Sequence, residues 1–271
     1  MKNNILITGA TGFLGSLFLK NVNRKKNNIF CIGSSNKAIS SEDNQYSLLE
    51  LPQILDSLKG DTYALHLATY YSKEDNEKEK IRSALEFSSK FLQIVTNTNI
   101  KNFLYTNTMF QFDKDSQYYY TQTKNEFSKI LHGTLSPNNI SEIYLTNTFH
   151  VSDTREKVVP IILKSVMMRT ENPVLDKKSY INLVFAEDII EAISTEIYNQ
   201  CSSISRITSS VDVNISSIYD FFNSKNNISN YDNKKLKKID SLYLKNTEIP
   251  PVNEYYKETN IYNALVTLRD F

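Results

Sequence analysis

The sequence has little of what marks several protein classes. Its two cysteines, Cys31 and Cys201, lie in dissimilar segments with neither a CxxC pair nor a histidine-rich partner, so no disulfide framework and no zinc or other metal site is expected. It lacks a dominant charge: 31 Lys and Arg nearly cancel 30 Asp and Glu. That balance gives no overall field for a nucleic acid or a polyanionic surface, so an anionic ligand must be held locally. No apolar run approaches the ~18 residues a membrane span requires, and Met1-Lys2-Asn3-Asn4 runs straight into a short apolar segment. A cytoplasmic protein with no membrane partner is expected. No solenoid-type repeat is present. At 271 residues the chain can bury a substantial core, as one large domain or as one domain with a smaller appendage.

What is there has a rhythm. Strand-like segments Ile5 to Thr8, Ile29 to Ile32, Tyr63 to Leu67, Phe103 to Thr106 and Ile143 to Thr146 alternate with helix-like segments Leu14 to Asn23, Glu79 to Thr96 and Tyr120 to Leu131. This alternation predicts an α/β fold with a parallel sheet and right-handed crossovers. Beyond residue 150 the pattern loosens into a helix at Val158 to Met168, a strand at Tyr180 to Val184 and a helix at Asp188 to Tyr198. Glu187-Asp188 opens that last helix with acids, which suits its positive end. The Asn-, Lys- and Ser-rich tract Asn223 to Lys238 reads as a surface loop or an exposed helix.

Glycine is scarce, and its placement is therefore informative. Of six glycines, Gly9, Gly12 and Gly15 fall within seven residues directly after the first strand. A GxxGxxG turn between strand and helix brings backbone N–H groups and a helix N-terminus to a pyrophosphate. Glycine permits the positive φ and close backbone approach that this needs. A dinucleotide site in a Rossmann-type, doubly wound sheet is expected over residues 1–150, with 181–207 returning to it, and a smaller substrate-binding domain mainly over 151–271.

Thr8-Gly9-Ala10-Thr11-Gly12-Phe13-Leu14-Gly15 also resembles the TGATGFLG or TGGTGFIG signature of the extended short-chain dehydrogenases, the NAD-dependent epimerase/dehydratase group. The resemblance extends to Leu65-His66-Leu67-Ala68, similar to that family's HLA strand. It implies coenzyme contacts from Gly9, Thr11, Gly12, Phe13, Leu14, Gly15, Leu67 and Ala68, a substrate contact from Thr69, and a core rather than a catalytic role for His66. NAD-specific sites place an acid at the end of the second strand. Here Ile32 is followed by Gly33-Ser34-Ser35-Asn36-Lys37, so Ser34 and Ser35 are candidate contacts and NADP(H) is favoured over NAD(H). The usual phosphate-clamping arginine is missing.

The family's catalytic signature is YxxxK after a Ser or Thr at an earlier strand end. Tyr120-Thr121-Gln122-Thr123-Lys124 supplies it. The four-residue offset stacks both side chains on one helical face, where an ammonium can lower a phenol's pKa and bond the coenzyme ribose. Tyr118 and Tyr119 would need partners at Gln122 and Thr123, which carry no ammonium. Phe103 to Met109 resembles the strand ending in SSS or SST and places Thr108 as the catalytic hydroxyl, with Thr106 as the other possibility. Tyr120 and Lys124 would also touch the coenzyme.

Dehydratases of this family follow the catalytic threonine with an acidic pair. Met109 and Phe110 stand there instead, which disfavours loss of water, since a carboxylate is needed to protonate the leaving hydroxyl. Met109 becomes a candidate substrate contact. The 11 residues between Thr108 and Tyr120, 109 to 119, and the stretch Tyr120 to Phe127 are similar to small deoxysugar 4-ketoreductases such as the CDP-abequose and CDP-paratose synthases. That resemblance implies NADP(H)-dependent reduction of a nucleotide-linked 4-keto-6-deoxysugar at C4 in deoxysugar biosynthesis. A nucleotide-sugar epimerase is the alternative, and a non-catalytic coenzyme-sensing or scaffolding protein a second one.

Two further matches are degraded. Asn147 stands where an NxYG-like motif binds substrate, but His150 replaces the glycine. Ile181 to Asp188 resembles an RDFxxVxD segment with Ile181 and Asn182 in place of the Arg and Asp, and Ala84 stands for the family's helix asparagine. Tyr70, Phe110, Phe112 and Phe149 are more simply core residues than stacking platforms. The family's helical dimer surface would be formed by Glu79 to Thr96 and Tyr120 to Leu131, so a homodimer is expected by resemblance.

Overall fold

A computed structural model describes residues 1–33, 43–72, 74–113, 118–173, 176, 178–199, 203–223, 236–242, 256–258 and 261–269. These form two compact units, one within 1–144 and 190–206, the other within 145–189, 207–249 and 256–271. The strands are β1 (Asn3–Thr8), β2 (Asn27–Ile32), β3 (Asn44–Tyr46), β4 (Thr62–His66), β5 (Asn102–Thr108), β6 (Ile140–Leu145), β7 (Asn147–Phe149), β8 (Tyr180–Phe185), β9 (Ser203–Thr208), β10 (Val211–Asn214), β11 (Lys238–Asp240) and β12 (Tyr256–Glu258). The helices are α1 (Phe13–Asn21), α2 (Leu51–Ser57), α3 (Lys78–Thr96), α4 (Tyr119–Thr134), α5 (Val158–Met167), α6 (Ala186–Glu196), α7 (Ile215–Asn223) and α8 (Ile261–Arg269).

The first sheet runs β3-β2-β1-β4-β5-β6-β9. In the sheet's register, Thr8 of β1 lies beside Ile32 of β2 and His66 of β4, and His66 lies beside Tyr105 of β5, all in parallel pairs. Every residue of β4, β5 and β6 is buried, as strands covered on both faces must be. The order reverses beside β1, and in such a sheet the crevice outside the strands' carboxyl ends at that point is where ligands bind. The fold is α/β and Rossmann-like.

The helices pack by period. In α3, Ile81, Ser88, Phe91, Leu92 and Val95 face inward at three- and four-residue spacing, and Phe91, Phe103, Phe127 and Leu131 meet in one core. Glu187 and Asp188 lie in the first turn of α6. The second unit has its own four-stranded sheet, β7-β8-β10-β11, and a separate core that includes Phe149, Ile162, Leu183, Phe221 and Leu265. No helix among the described residues is long and apolar enough to cross a membrane. Residues 224–235 of the Asn-rich tract lie outside the described residues.

Candidate active site

The glycine turn is tight because two of its glycines have no room for a side chain. Gly9 has φ +73° and its missing Cβ would lie 2.6 Å from the Ala68 nitrogen; at Gly15 a Cβ would lie 2.1 Å from the Gly9 carbonyl oxygen. The Gly12 N–H donates to that same oxygen at 2.9 Å. Gly12 is also the N-cap of α1 and brings no side-chain cap, so no capping side chain stands between the start of the nine-residue helix and a ligand.

His66 locks this end of the sheet. The Ser88 hydroxyl donates to the Ala84 carbonyl at 2.7 Å, which leaves its oxygen to accept from His66 Nε2 at 2.9 Å. Nδ1 then accepts from the Thr8 hydroxyl at 2.6 Å, whose oxygen accepts the Ala68 N–H at 3.3 Å. Burial drives the imidazole down to about 3, helped by the charge of Lys124. A neutral ring with both nitrogens engaged is a strut between β1, β4 and α3.

A cleft of about 450 Å³ opens over the turn, lined by Gly9, Ala10 and Thr11, by Cys31, Ile32, Gly33 and Gln45, by Ala68 to Tyr70, and by Lys80, Ser83, Ala84 and Phe87. Among these lining residues no side chain is a carboxylate. Asp43, the described acid nearest in sequence to β3, is held by Arg24 through contacts of 3.2 and 2.9 Å and its side chain is fully covered. Ser34 and Ser35 lie outside the described residues. Gln45, Lys80, Ser83 and Phe87 are not singled out by the sequence, whereas Ala84 is the position compared with the family's helix asparagine. Residues 80, 83, 84 and 87 follow the i, i+3, i+4, i+7 spacing of a single helical face, and that was the available signal; β3 is too short to show one.

A second, smaller cavity shares Ala68, Thr69, Tyr70 and Ala84 with the cleft and reaches Tyr105, Thr123 and Lys124. Lys124 is 8% exposed. Its Nζ donates to the Thr106 carbonyl at 2.7 Å and sits 4.4 Å from the Tyr105 ring centroid. Burial pulls the ammonium down to about 7, against the raising charge of Glu142. Tyr120 is one turn earlier on the same helix, 9% exposed, with its ring edge-on to Tyr71 at 4.9 Å. Thr108 ends β5 and its Oγ1 accepts the Phe110 N–H at 3.3 Å, capping the turn Met109–Phe112.

Thus Thr108, Tyr120 and Lys124 all belong to β5 and α4 of the first unit, and Gly9, Thr11 and Ala68 line the cleft itself. Phe13 and Leu14 open α1, half-buried. Leu67 is buried and its N–H donates to the Thr8 carbonyl at 3.2 Å. Thr69 is exposed beside the cleft, whereas Met109 has no exposed surface. Asn147 belongs to the second unit, where its Nδ2 donates to the Asn182 carbonyl at 3.2 Å. Asn182, at the site of the degraded motif, is a structural hub: its amide nitrogen donates to Asp212 Oδ1 and to the Ser209 carbonyl, both at 2.8 Å.

A family model described as NAD dependent epimerase/dehydratase family matches residues 5–199. Among solved structures, the UDP-N-acetylglucosamine 4-epimerase from Bacillus cereus is 12% identical, with 99% of this chain and 96% of that one covered and a TM-score of 0.71. The Bordetella bronchiseptica enzyme WbmH, determined with NAD+, is 16% identical, with 82% and 81% covered and a TM-score of 0.69. The UDP-glucose 4-epimerase of Thermotoga maritima, determined with UDP-glucose, is 13% identical, with 96% and 87% covered and a TM-score of 0.69. Identities this low establish the fold alone. No curated protein sequence matches the chain.

Proposed function

We propose, for a chain that belongs to the NAD dependent epimerase/dehydratase family, that it reduces a nucleotide-linked 4-keto-6-deoxysugar at C4 with NADP(H). The observation that carries the reading is continuity: the cleft over the glycine turn and the cavity at Lys124 share four wall residues. The residues fit a dinucleotide, because the turn is closed at Gly9 and Gly15 to anything but backbone and the N-terminal end of α1, with no capping side chain at Gly12, suits a phosphate.

A nicotinamide held there would supply the hydride needed at the sugar's C4. Tyr120 then gives its phenolic proton to the carbonyl oxygen, which becomes the hydroxyl. Lys124 stabilises the phenolate that is left, and the Thr108 hydroxyl orients the carbonyl. Thr69, exposed beside the cleft, borders the substrate; buried Met109 has no surface to offer it. Met109 and Phe110 offer no proton to a departing hydroxyl, which separates this reading from a dehydratase. The preference for NADP(H) rests on the described cleft lining having no carboxylate to repel a 2′-phosphate.

Epimerisation is the second reading, favoured by structural neighbours that are sugar-nucleotide 4-epimerases. The same residues would then take and return the proton with no net use of coenzyme. Purified protein is mixed with NADPH or NADH and a panel of CDP-, dTDP- and GDP-linked 4-keto-6-deoxysugars, following coenzyme absorbance and product. Stoichiometric loss of NADPH with one sugar is expected. Interconversion of a sugar nucleotide without consumption overturns the reductase in favour of the epimerase, and no change of either kind points to coenzyme sensing. A homodimer built on α3 and α4 belongs to the same reading and is checked by light scattering.

A further inference from the structure

One buried charge is not used in that chemistry. Glu142 sits in β6 with no exposed surface, flanked by Ile140, Ile143 and Leu145 of the core. Taking a carboxylate out of water costs several kcal/mol unless it is paired and hydrogen-bonded, so a strand that needed only filling would carry an apolar side chain there. The carboxylate is fully partnered. One oxygen accepts from Asn107 Nδ2 at 2.5 Å and the other from His132 Nε2 at 2.9 Å, and the Tyr144 hydroxyl also bonds to it.

The far end of Asn107 is what matters. Its Oδ1 accepts the backbone N–H of Thr108 at 2.8 Å, and Asn107 is 2% exposed. A carboxylate can only accept, so Glu142 obliges the amide to turn its NH₂ toward β6 and its oxygen toward Thr108. A neutral amide at residue 142 could donate instead, and the Asn107 side chain would lose that constraint. Lys124, next along, is held over the Tyr105 ring and by the Thr106 carbonyl of the same β5, and His66 and Tyr70 line the same cavity.

We infer that Glu142 is a positioning residue: through Asn107 it fixes Thr108 at the carboxyl end of β5. The inference rests on the reading of Thr108, Tyr120 and Lys124 as the reacting group. His132, at the last turn of α4, bonds to the same carboxylate, and that bond raises its pKa.

The test uses the full chain with Glu142→Gln, reading the Thr108 methyl order parameter by NMR beside kcat and KM. Expected are a lower order parameter and kcat reduced about 10- to 100-fold with KM within about twofold. A folded variant with an unchanged Thr108 order parameter overturns the inference. If that variant does not fold, Asn107→Ala decides: a loosened Thr108 supports the inference and a rigid Thr108 overturns it. If the wild type turns over no sugar, the proposed reaction falls while the NMR readout still judges Glu142.

Discussion

Gly15 leaves no space for a methyl group, because a Cβ would stand 2.1 Å from the Gly9 oxygen and 2.8 Å from the Ala10 Cα. Both obstacles are backbone and cannot rotate away. Gly15→Ala is expected to push α1 off the turn, destabilise the protein by roughly 1–3 kcal/mol and weaken binding of the nicotinamide coenzyme in a fluorescence titration. Gly133, in α4, is the control: nothing lies within 4 Å of its missing Cβ, so Gly133→Ala should stabilise by about 0.5–1 kcal/mol in a thermal melt. At the chemical end, Tyr120→Phe removes one oxygen from a ring already packed against Tyr71. Turnover should fall about 10²- to 10⁴-fold with coenzyme affinity kept; unchanged turnover would remove Tyr120 from the reaction. The glycines and the YxxxK pair were legible in the sequence because each acts within a few residues of itself. Glu142 was not, since one partner lies 35 residues away.

Elements divide their labour by end. β5 begins at Asn102 and finishes at Thr108, and these ends do different things. Asn102 Nδ2 donates to Ser141 Oγ at 2.9 Å and to the carbonyls of Glu196 and Ile197 at 2.9 and 3.2 Å, tying β5 to β6 and to the end of α6. Ser203 joins the same cluster through Glu196 at 2.6 Å. Asn102→Ala strips donors from buried acceptors, so a loss of roughly 1–3 kcal/mol is expected in urea unfolding, with kcat unaltered because the change is at the opposite end of the strand from Thr108. The β1 turn, α3 and α4 were readable from apolar period, their bounds falling within a few residues of those observed. β3 was not: three residues, Asn44-Gln45-Tyr46, pair with β2 through backbone and show no apolar alternation. β6 was read from Ile143 onward because polar Ser141 and Glu142 broke the pattern, although both are fully buried.

At the scale of the molecule, the buried titratable groups of the first unit should shape stability against pH. Lys124 is protonated in the unfolded chain up to about its ordinary 10.5 but in the fold only below about 7. The unfolded state therefore holds the extra proton between those values, and stability rises with pH across that window. His66, at about 3 in the fold against an ordinary 6.5, works in the same sense lower down, so acidification below 6.5 costs stability. His132 opposes them: its raised value gives a contribution fully present below 6.5 and lost as pH climbs through the folded value, and partial exposure weakens it. Cys31, pushed by burial from 9.0 to about 12, keeps its proton when the unfolded thiol loses one, so stability falls above pH 9. The coenzyme-free protein is thus expected to unfold at higher urea at pH 9 than at pH 7. Lys124→Met should abolish that rise, leaving His132 to tilt the curve slightly downward. A rise that survives the substitution would mean that Lys124 is not the group whose burial sets it.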